Sequence, residues 1–491
     1  MGLMGVDIGS SSCKATVFDA AGHRLAAASR EYEPSFPGPG RAEMDPARLW
    51  EAVSSTIAAA ARAAAEPVAA LAISSHGETF VPVDAHGGAL APAILNVDNR
   101  ATVEAGECEA EFGERRLFAT TGQIVNATYP LNKLAWLRRH QPDVFRTAHR
   151  FVGPGEYALL RMGLPPHIDG SLASRWLAFD VRARRWSEEL LDFAGLTEAR
   201  LPVVAPAGSI VGRLAAEAAG ALGLPAGTLV AVGGHDQACG ALGMGAIAPG
   251  LVADSMGTYE CVTRVDDAPR LDETARAGKL NSYCHVVPGC YITIVYFPAG
   301  IMMKWYADLL GEGEGGYADL EAHAPAGPTG LLVLPHLIGS STPHFDPRAT
   351  GAIVGLTPGS GRARLYKGIL EGMACELGVV TEVLTAAAGP VDTIRATGGG
   401  ARSRLGLQLR ADLTGVRFQV MENPESVGLG AALLAGVAAG VYVDLEEAVA
   451  RTVRVVDTVE PNPDGAKAYA GQVRRYRALY PALAAIREES A

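Results

Sequence analysis

The stretch GVDIGSSSCKATVFD (residues 5–19) decides the fold class of this chain. An apolar run ends near Asp7, a Gly-Ser turn follows, and a second apolar run leads to another turn, which predicts a β-hairpin. A similar pattern returns in GLVADSMGTYECVTRVDD (residues 250–267), where an apolar run, an acid and a Gly-Thr turn come in the same order. Two such hairpins predict two similar halves, with ligands bound in the cleft between them.

The length and the pattern of elements agree with this organisation. The chain has 491 residues, of which 48% are hydrophobic, so it is too long for one ordinary core and predicts two domains or more. Short apolar strands alternate with Ala-rich helical stretches, which favours an α/β fold, and the hairpins make the sheets mixed. The Gly/Pro-rich MGAIAPG (residues 244–250) places the boundary between an N-terminal domain of residues 1–247 and a C-terminal domain of residues 248–491.

Charge and cysteine content exclude several classes of partner. The net charge of -11, without a block of Lys or Arg, disfavours nucleic acid and anionic membranes. The seven cysteines are scattered and none forms C-x-x-C, which predicts free thiols in a reducing compartment rather than disulfides or a zinc site. The start of the chain does not match a signal peptide, and glycines recur through the uncharged residues 426–443 as in a tightly packed core helix. We therefore expect a cytoplasmic protein without a membrane span.

The segment VAVGGHDQACGALGMG (residues 230–245) contains the strongest catalytic candidate. Asp236 follows an apolar strand and two glycines, and a Gly/Ala-rich helix follows it. A carboxylate in this place can accept the proton of a hydroxyl as that oxygen attacks phosphorus, and the glycines keep bulk away from the substrate. The alternative is that Asp236 only caps the following helix, and both roles are compatible.

Three glycine-containing turns are candidate phosphate and nucleotide sites, because such turns expose backbone N–H groups without bulky side chains. Each of them could also be a plain turn. The first turn could in addition bind Mg²⁺ through water at Asp7 and a phosphate oxygen at Lys14. The candidate residues are Asp7, Gly9, Ser10, Ser11, Ser12 and Lys14 in the first turn, Gly257 and Thr258 in the second, and Gly398, Gly399, Gly400, Ala401, Arg402 and Ser403 in the third.

Polar residues in ISSHGETFVPVD (residues 73–84) and PAILNVDNR (residues 92–100) are candidates for the acceptor site. Carboxylate and guanidinium groups together suit polyol hydroxyls, because paired hydrogen bonds discriminate them. The alternative is a solvated strand end. The candidates are His76, Gly77, Glu78, Asp98 and Arg100, with Asp169 as a weaker one.

In their order along the chain, these motifs resemble the FGGY carbohydrate kinase family of the actin-like ATPase superfamily. The resemblance covers nearly the whole chain and includes KLAWLRRH (residues 133–140), GAIVGLTPGSGRARLYKGILEGMA (residues 351–374), TGGGARSRLGLQLRADLTG (residues 397–415) and ENPESVGLGAALLAG (residues 422–436). It implies two actin-like, ribonuclease H-like domains around a cleft, with ATP and Mg²⁺ as cofactors. It further implies that Asp236 is the catalytic base and that both Asp236 and Asp7 contact Mg²⁺ through water. A homodimer is a possible assembly, because dimers are common in the family.

Several residues depart from the family pattern. The second phosphate motif of the family is usually Gly-Thr-Ser, but here Tyr259 and Glu260 follow Gly257 and Thr258. Arg364 stands where an acid is usual in the segment of residues 351–374. Asn96 replaces a common Trp, and Thr128 stands where an aromatic or small residue is usual.

The departures nearest the acceptor site bear on the substrate. Gly77 stands where glycerol kinases have an Arg, and Glu78 where xylulokinases have a His. The acceptor expected is a ketose such as a pentulose. An alditol, an aldonate or another small hydroxy compound is the alternative, as is a non-catalytic actin-like ATPase.

Overall fold

The computed structural model describes residues 1–311 and 316–489. Its first half runs from β1 to α10. The strands are β1 (Gly2–Ile8), β2 (Ser12–Phe18), β3 (Arg24–Glu31), β4 (Glu43–Met44), β5 (Val68–Ser75), β6 (Val81–Val83), β7 (Ala93–Ile94), β8 (Arg150–Val152), β9 (His167–Ile168), β10 (Phe179–Asp180), β11 (Arg185–Trp186), β12 (Val203–Val204), β13 (Ile210–Arg213) and β14 (Leu229–His235). The helices are α1 (Pro46–Ala63), α2 (Thr102–Phe112), α3 (Glu114–Thr121), α4 (Pro130–His140), α5 (Pro142–Thr147), α6 (Pro154–Arg161), α7 (Gly170–Ser174), α8 (Glu188–Ala194), α9 (Ala216–Ala221) and α10 (Asp236–Gly243), with a 3-10 turn at Glu198–Arg200.

The second half runs from β15 to α18. Its strands are β15 (Val252–Met256), β16 (Tyr259–Asp266), β17 (Asn281–Cys284), β18 (Tyr291–Pro298), β19 (Leu332–Leu334), β20 (Ala352–Val354), β21 (Thr393–Thr397), β22 (Arg417–Met421) and β23 (Val455–Val459). Its helices are α11 (Glu273–Ala277), α12 (Gly300–Leu310), α13 (Tyr317–Ala322), α14 (Arg362–Ala388), α15 (Arg404–Thr414), α16 (Ser426–Ala438), α17 (Leu445–Thr452) and α18 (Pro463–Glu489), with a 3-10 turn at Gly400–Arg402.

The two large sheets repeat one topology. The first has the strand order β13-β14-β5-β1-β2-β3, and the second has β23-β22-β21-β15-β16-β18 with β17 added at the edge. In both, three parallel strands stand between an antiparallel hairpin pair and an antiparallel edge strand. The prediction of two similar halves with mixed sheets is therefore confirmed. One difference is that the edge strand β13 precedes its neighbour β14 in the chain, whereas β23 follows β22.

The apolar core continues from one half into the other. Leu3 of β1, Leu242 of α10 and Leu433 of α16 belong to the same buried cluster. Helix α16 comes from the second half, yet it packs on β1, β5 and β14 of the first sheet and along α10. All strands of the first large sheet lie within residues 2–235 and those of the second within residues 252–459, while the boundary at residues 247/248 stays a prediction.

Glycines allow this helix to approach so closely. A Cβ on Gly5 would lie 1.8 Å from the carbonyl oxygen of Gly428, and one on Gly243 would lie 1.9 Å from that of Ser426. Side chains at these positions would separate the backbones. The spacing of small residues through residues 426–443 therefore reflects close packing inside the molecule. Across the described residues, none of the helices combines the length and the hydrophobicity of a membrane-spanning segment.

Candidate active site

Three parallel strands of the first sheet end together and place the acidic candidates at one edge. In the register of β1, β5 and β14, Ile8 pairs with Ser75, and Ser75 pairs with His235. The turn after Ile8, the turn after Ser75 and the start of α10 therefore leave the sheet side by side. The carboxyl ends of parallel strands are the usual place for a ligand site in α/β proteins.

Asp236 is the first residue of α10 and lies at this edge. The N-cap residue is His235, so the alternative that Asp236 caps the helix is not what the structure shows. Its Oδ1 accepts a hydrogen bond from the backbone N–H of Gln237 at 2.6 Å, and the Nε2 of His235 lies 3.2 Å away. The side chain of Asp236 is 25% exposed, so a ligand can reach it.

The surroundings of Asp236 make it a stronger base than an ordinary aspartate. Burial and the negative charge of Asp7 raise its pKa to about 7, and Glu78 acts in the same direction while Arg175 opposes them. A carboxylate with a pKa near 7 holds a proton more firmly than usual and is still ionised in part at neutral pH. The site thus provides a proton acceptor adjusted to neutral pH.

Asp7 lies at the end of β1, next to Asp236. Burial raises the pKa of Asp7 to about 7, and its Oδ1 is buried without a hydrogen-bond partner among the described residues. Two neighbouring carboxylates with raised pKa values, one of which has a buried oxygen without a partner among the described residues, suit a divalent cation. Within the described residues no group of three or more His, Cys, Asp or Glu side chains could hold a metal alone. Mg²⁺ commonly takes one or two carboxylates and completes its shell with water and phosphate, so Asp7 and Asp236 are candidates to hold it.

The first candidate phosphate turn is closed by a backbone hydrogen bond from Gly9 N to Ser12 O at 2.9 Å. The hydroxyl of Tyr32 supports the turn from behind by donating to Gly9 O and Ser12 O. The candidates Ser10, Ser11 and Ser12 are half-buried or exposed, as a ligand turn requires. Lys14 reaches across to the second half, where its Nζ lies 3.1 Å from Glu425 Oε2.

The second and third candidate turns lie against each other because β15 and β21 are parallel neighbours. Gly257 N donates to Tyr259 O at 3.0 Å, and Thr258 completes this turn. Gly398 has φ +95°, and a Cβ on it would lie 2.7 Å from Met256 O. Beyond Gly399, the 3-10 turn Gly400–Arg402 leads to Ser403, which caps α15 by accepting from Gly406 N at 2.9 Å. The structure therefore brings the residues of these two turns together.

The departure at Glu260 has a structural role. Glu260 is buried and accepts two hydrogen bonds from the buried Arg410 of α15, from Nε at 2.9 Å and from Nη2 at 2.6 Å. Asp254 lies beside this pair without a hydrogen-bond partner among the described residues, and burial together with Glu260 raises its pKa well above the usual value. The pair ties the second hairpin to the helix that follows the glycine turn.

The helix that begins with Asp236 contacts the second half, because α10 packs on β15 and β16. The start of β16 is near enough that the charge of Asp236 adds to burial in raising the pKa of Cys261. Burial likewise raises the pKa of Tyr283 on β17, with Asp236 among the contributing charges. The acid therefore lies between the first hairpin and the second half, where the sequence predicts the cleft.

Glu78 and its neighbours form the acceptor side of this edge. Glu78 has φ +57°, a left-handed conformation that costs energy for a residue with a side chain and that often marks a functional turn. The imidazole of His76 bridges Ile8 O at 2.9 Å and Thr79 Oγ1 at 2.8 Å. Burial lowers the pKa of His76, so this imidazole is neutral and ties two strand ends together.

Sequence reasoning missed Arg175, which immediately follows α7. Its Nε donates to Glu78 Oε1 at 2.7 Å and its Nη1 to Gln123 Oε1, so a cation stands near Asp236 although none is close in sequence. One signal was available. Arg175 lies in the apolar stretch LASRWLAF (residues 172–179), and a buried Arg needs an acidic partner. Glu78 is an acid with no Lys or Arg close to it in the sequence, so it was a candidate for that partner.

Asp98 and Arg100 are held mainly by each other and by Glu43. Arg100 donates from Nε to Asp98 Oδ1 at 2.9 Å and from Nη2 to Glu43 Oε1 at 2.7 Å, and both Asp98 and the Arg100 side chain are buried. Asp98 also accepts from Ala42 N at 2.6 Å. These bonds give the pair a positioning role, and direct contact with a sugar stays a prediction.

Asp169, the weaker candidate, caps α7. It accepts hydrogen bonds from the backbone of Ser171 and Leu172 and from the hydroxyl of Ser171 at 2.9 Å. That hydroxyl in turn accepts from His235 N at 2.9 Å. Asp169 therefore supports the strand end that carries Asp236.

The seven cysteines, Cys239 among them, are free thiols in the structure.

Two family models match the chain almost end to end. The FGGY family of carbohydrate kinases, N-terminal domain, matches residues 3–243, and the C-terminal domain of the same family matches residues 252–439. The chain belongs to the FGGY family of carbohydrate kinases. It is therefore a phosphotransferase with an alcohol group as acceptor, built on the actin-like fold, and kinases of this family use ATP.

Individual relatives cover almost the whole chain. The chain is 30% identical to a xylulose kinase of Escherichia coli over 98% of its length and 99% of the relative. It is 32% identical to a glycerol kinase of Bordetella parapertussis over 91% of its length and 90% of the relative. Among solved structures, a ligand-bound xylulose kinase from Lactobacillus acidophilus superposes with a TM-score of 0.90 at 26% identity and full coverage of both chains.

Proposed function

We propose that this FGGY kinase transfers the γ-phosphoryl group of ATP to a hydroxyl of a ketose, with a pentulose as the first candidate, and that Asp236 is the general base. The acceptor oxygen forms the bond to the γ-phosphorus, the bond from that phosphorus to the bridging oxygen of ADP breaks, and the hydroxyl proton goes to Asp236. The observation that carries the proposal is the half-buried carboxylate of Asp236, still 25% exposed and with a pKa raised to about 7, at the edge between the halves.

The nucleotide is assigned to the three turns. Its phosphates lie between the turn of Gly9, Ser10, Ser11 and Ser12 and the turn of Gly257 and Thr258, and its adenosine lies near residues 398–403. Asp7 and Asp236, each through water, would hold Mg²⁺, which would supply charge neutralisation on the phosphates. Positioning of the two substrates and exclusion of water carry most of the rate in such a transfer.

The acceptor is assigned to the opposite side of Asp236. Glu78 has a carboxylate oxygen to offer to a hydroxyl, and Gly77 leaves room beside it. His76, Asp98 and Arg100 support this side, although their own bonds are made within the protein. We also infer a cytoplasmic location and a homodimer as the assembly to test first.

A second candidate acceptor is an alditol. The similarity to the Bordetella glycerol kinase at 32% identity favours it, while the absence of an Arg at Gly77 speaks against glycerol itself. Both candidates use the same catalytic machinery and differ only in the compound held at Glu78.

The test is a coupled assay of ADP release with ATP, Mg²⁺ and a panel of pentuloses, hexuloses, alditols and aldonates. A ketose with the highest kcat/KM supports the proposal, and an alditol in that position supports the second candidate. ATP hydrolysis that no acceptor stimulates would overturn both and would favour a non-catalytic actin-like ATPase. Mass spectrometry of the product identifies the phosphorylated compound.

A further inference from the structure

Arg175 is fixed inside the acceptor site by polar bonds on one side. Its side chain is 13% exposed, and two of its nitrogens, Nε and Nη2, bond the same oxygen, Glu78 Oε1. Its Nη1 donates to Gln123 Oε1, which also accepts from the hydroxyl of Tyr129. The guanidinium of Arg175 is therefore already paired with Glu78 through Oε1. The other carboxylate oxygen of Glu78, Oε2, remains to accept a hydrogen bond from a hydroxyl of the acceptor.

Aromatic rings and a glycine fix the other sides of Arg175. The guanidinium carbon lies 5.0 Å from the ring centre of Tyr283 and 5.5 Å from that of Tyr129, within the range of cation–π attraction. A Cβ on Gly77 would lie 2.8 Å from both Cβ and Cγ of Arg175. The side chain of Arg175 therefore fills the space that a side chain at position 77 would take.

The charges around the site are mostly negative. Asp7, Asp236 and Glu78 are carboxylates, and the charge of Arg175 is used by Glu78. Lys133 adds little positive charge, because its Nζ donates to the backbone oxygens of Glu78 and Leu95 and burial lowers its pKa to about 7. A carboxylate on the acceptor would meet these acids, and neither Arg175 nor Lys133 has a free charge to offer it.

We propose, resting on the kinase function proposed above, that the Arg175–Glu78 pair makes the acceptor site selective for uncharged polyhydroxy compounds over carboxylate analogues of the same size. Arg175 neutralises and orients Glu78, so that one carboxylate oxygen of Glu78 receives hydroxyl protons. A site that hydrogen-bonds hydroxyls also rejects a ligand that cannot donate to it, because its buried polar groups would be left unpaired. Arg175 is thus a specificity-determining residue for a neutral acceptor.

The first experiment compares the best neutral acceptor of the panel with the aldonate of the same carbon number. Steady-state kinetics give kcat/KM for each, and calorimetry in the presence of a non-hydrolysable ATP analogue gives binding without turnover. For the unaltered enzyme we expect the aldonate to be worse by about tenfold or more, the scale of one uncompensated charge a few ångströms away. An aldonate that is equal or better overturns the inference and leaves the kinase function standing, whereas no turnover of either compound overturns the proposed function itself.

Two variants locate the effect at the pair. In Glu78→Gln the guanidinium of Arg175 is no longer neutralised, so the preference for the neutral acceptor should shrink by about tenfold. In Arg175→Met the neutral acceptor should lose kcat/KM and the aldonate should gain nothing. The control Glu104→Gln removes the acid of another partly buried pair, Arg139–Glu104, and should leave the preference unchanged.

Each variant is checked for folding by circular dichroism and melting temperature. An unchanged preference in folded Glu78→Gln, or a gain for the aldonate in Arg175→Met, would overturn the inference. Should one of the two fail to fold, the ratio measured in the other variant decides.

Discussion

Gly430 of α16 and Cys239 of α10 meet backbone to backbone, since a Cβ on Gly430 would lie 1.9 Å from the carbonyl oxygen of Cys239. The helix that begins with Asp236 is therefore held by a helix of the other half without any side chain between them. The position of Asp236, the proposed general base, depends on this contact.

A methyl group at position 430 should separate these helices. We expect Gly430→Ala to lower the free energy of unfolding by about 3 kcal/mol, because the overlap is with backbone that cannot rotate away. The control is Gly378→Ala in α14, where a Cβ would meet nothing within 4 Å. That variant should be neutral or more stable by up to about 1 kcal/mol. Urea unfolding measures both, and equal stabilities would show that α16 moves freely on α10.

Asp236→Asn tests the base directly. An amide of the same shape cannot accept the hydroxyl proton, so we expect kcat to fall by about 10²-fold or more. Binding of ATP and acceptor, measured by calorimetry, should change little. Glu189→Gln removes an exposed acid from the first turn of α8 and should leave kcat unaltered. Near-normal turnover in Asp236→Asn would remove the role assigned to this acid.

The rate should rise with pH through about 7. Asp236 must be ionised to accept a proton, and burial together with Asp7 raises its pKa to about 7, so kcat/KM increases as pH passes that value. Asp7→Asn removes one of the charges that raise this pKa. Its residual activity should therefore have a lower midpoint on the pH axis. A midpoint that stays in place would mean that another group controls the profile.

Stability should change with pH in the opposite sense. The folded-state pKa of Asp236 lies above the unfolded value of 3.8, so between these values the folded protein binds more protons and its stability falls as pH rises. Asp236→Asn lacks this contribution. We expect it to be more stable than the unaltered protein by about 1–2 kcal/mol at pH 8, after allowance for the exposure of the side chain, and by less at pH 5. Melting curves at both pH values measure the difference.

Lys14, which we propose binds a phosphate of ATP, forms an ion pair with Glu425. Their charged atoms lie 3.1 Å apart across the two halves, and Glu425 also helps to raise the pKa of Asp7. Glu425→Gln should release Lys14 for phosphate and lower the KM for ATP by up to about fivefold at low salt, the scale of an exposed pair. Lys14→Met should raise that KM. A KM indifferent to both changes would take Lys14 out of the phosphate site.

Local sequence patterns predicted the positions of those site residues whose placement depends only on their own strand and turn. The hairpins at residues 5–19 and 250–267 and the acid after β14 could be identified because strand, turn and glycine follow one another in the chain. The partners of these residues could not be identified in this way. Arg175 pairs with Glu78 at a separation of 97 positions, and Glu260 pairs with Arg410 at 150.

The interpretation of Asp98 and Arg100 shows the same limit. Sequence reasoning took them as two free groups at a strand end, open to a sugar. Glu43, 57 positions before Arg100, completes their hydrogen bonds. A buried charge seeks the nearest opposite charge in space, and the fold rather than the order of residues decides which one that is.

The packing of helix α16 also affects whether either half of the protein can be expressed separately. This helix belongs to the second half of the sequence and covers one face of the large sheet of the first half. A fragment that ended at residue 247 would expose that sheet to water. In the remaining fragment, the apolar helix α16 would lack the sheet on which it packs. The two halves are thus coupled during synthesis, because the first half cannot complete its apolar core until the ribosome has synthesised α16.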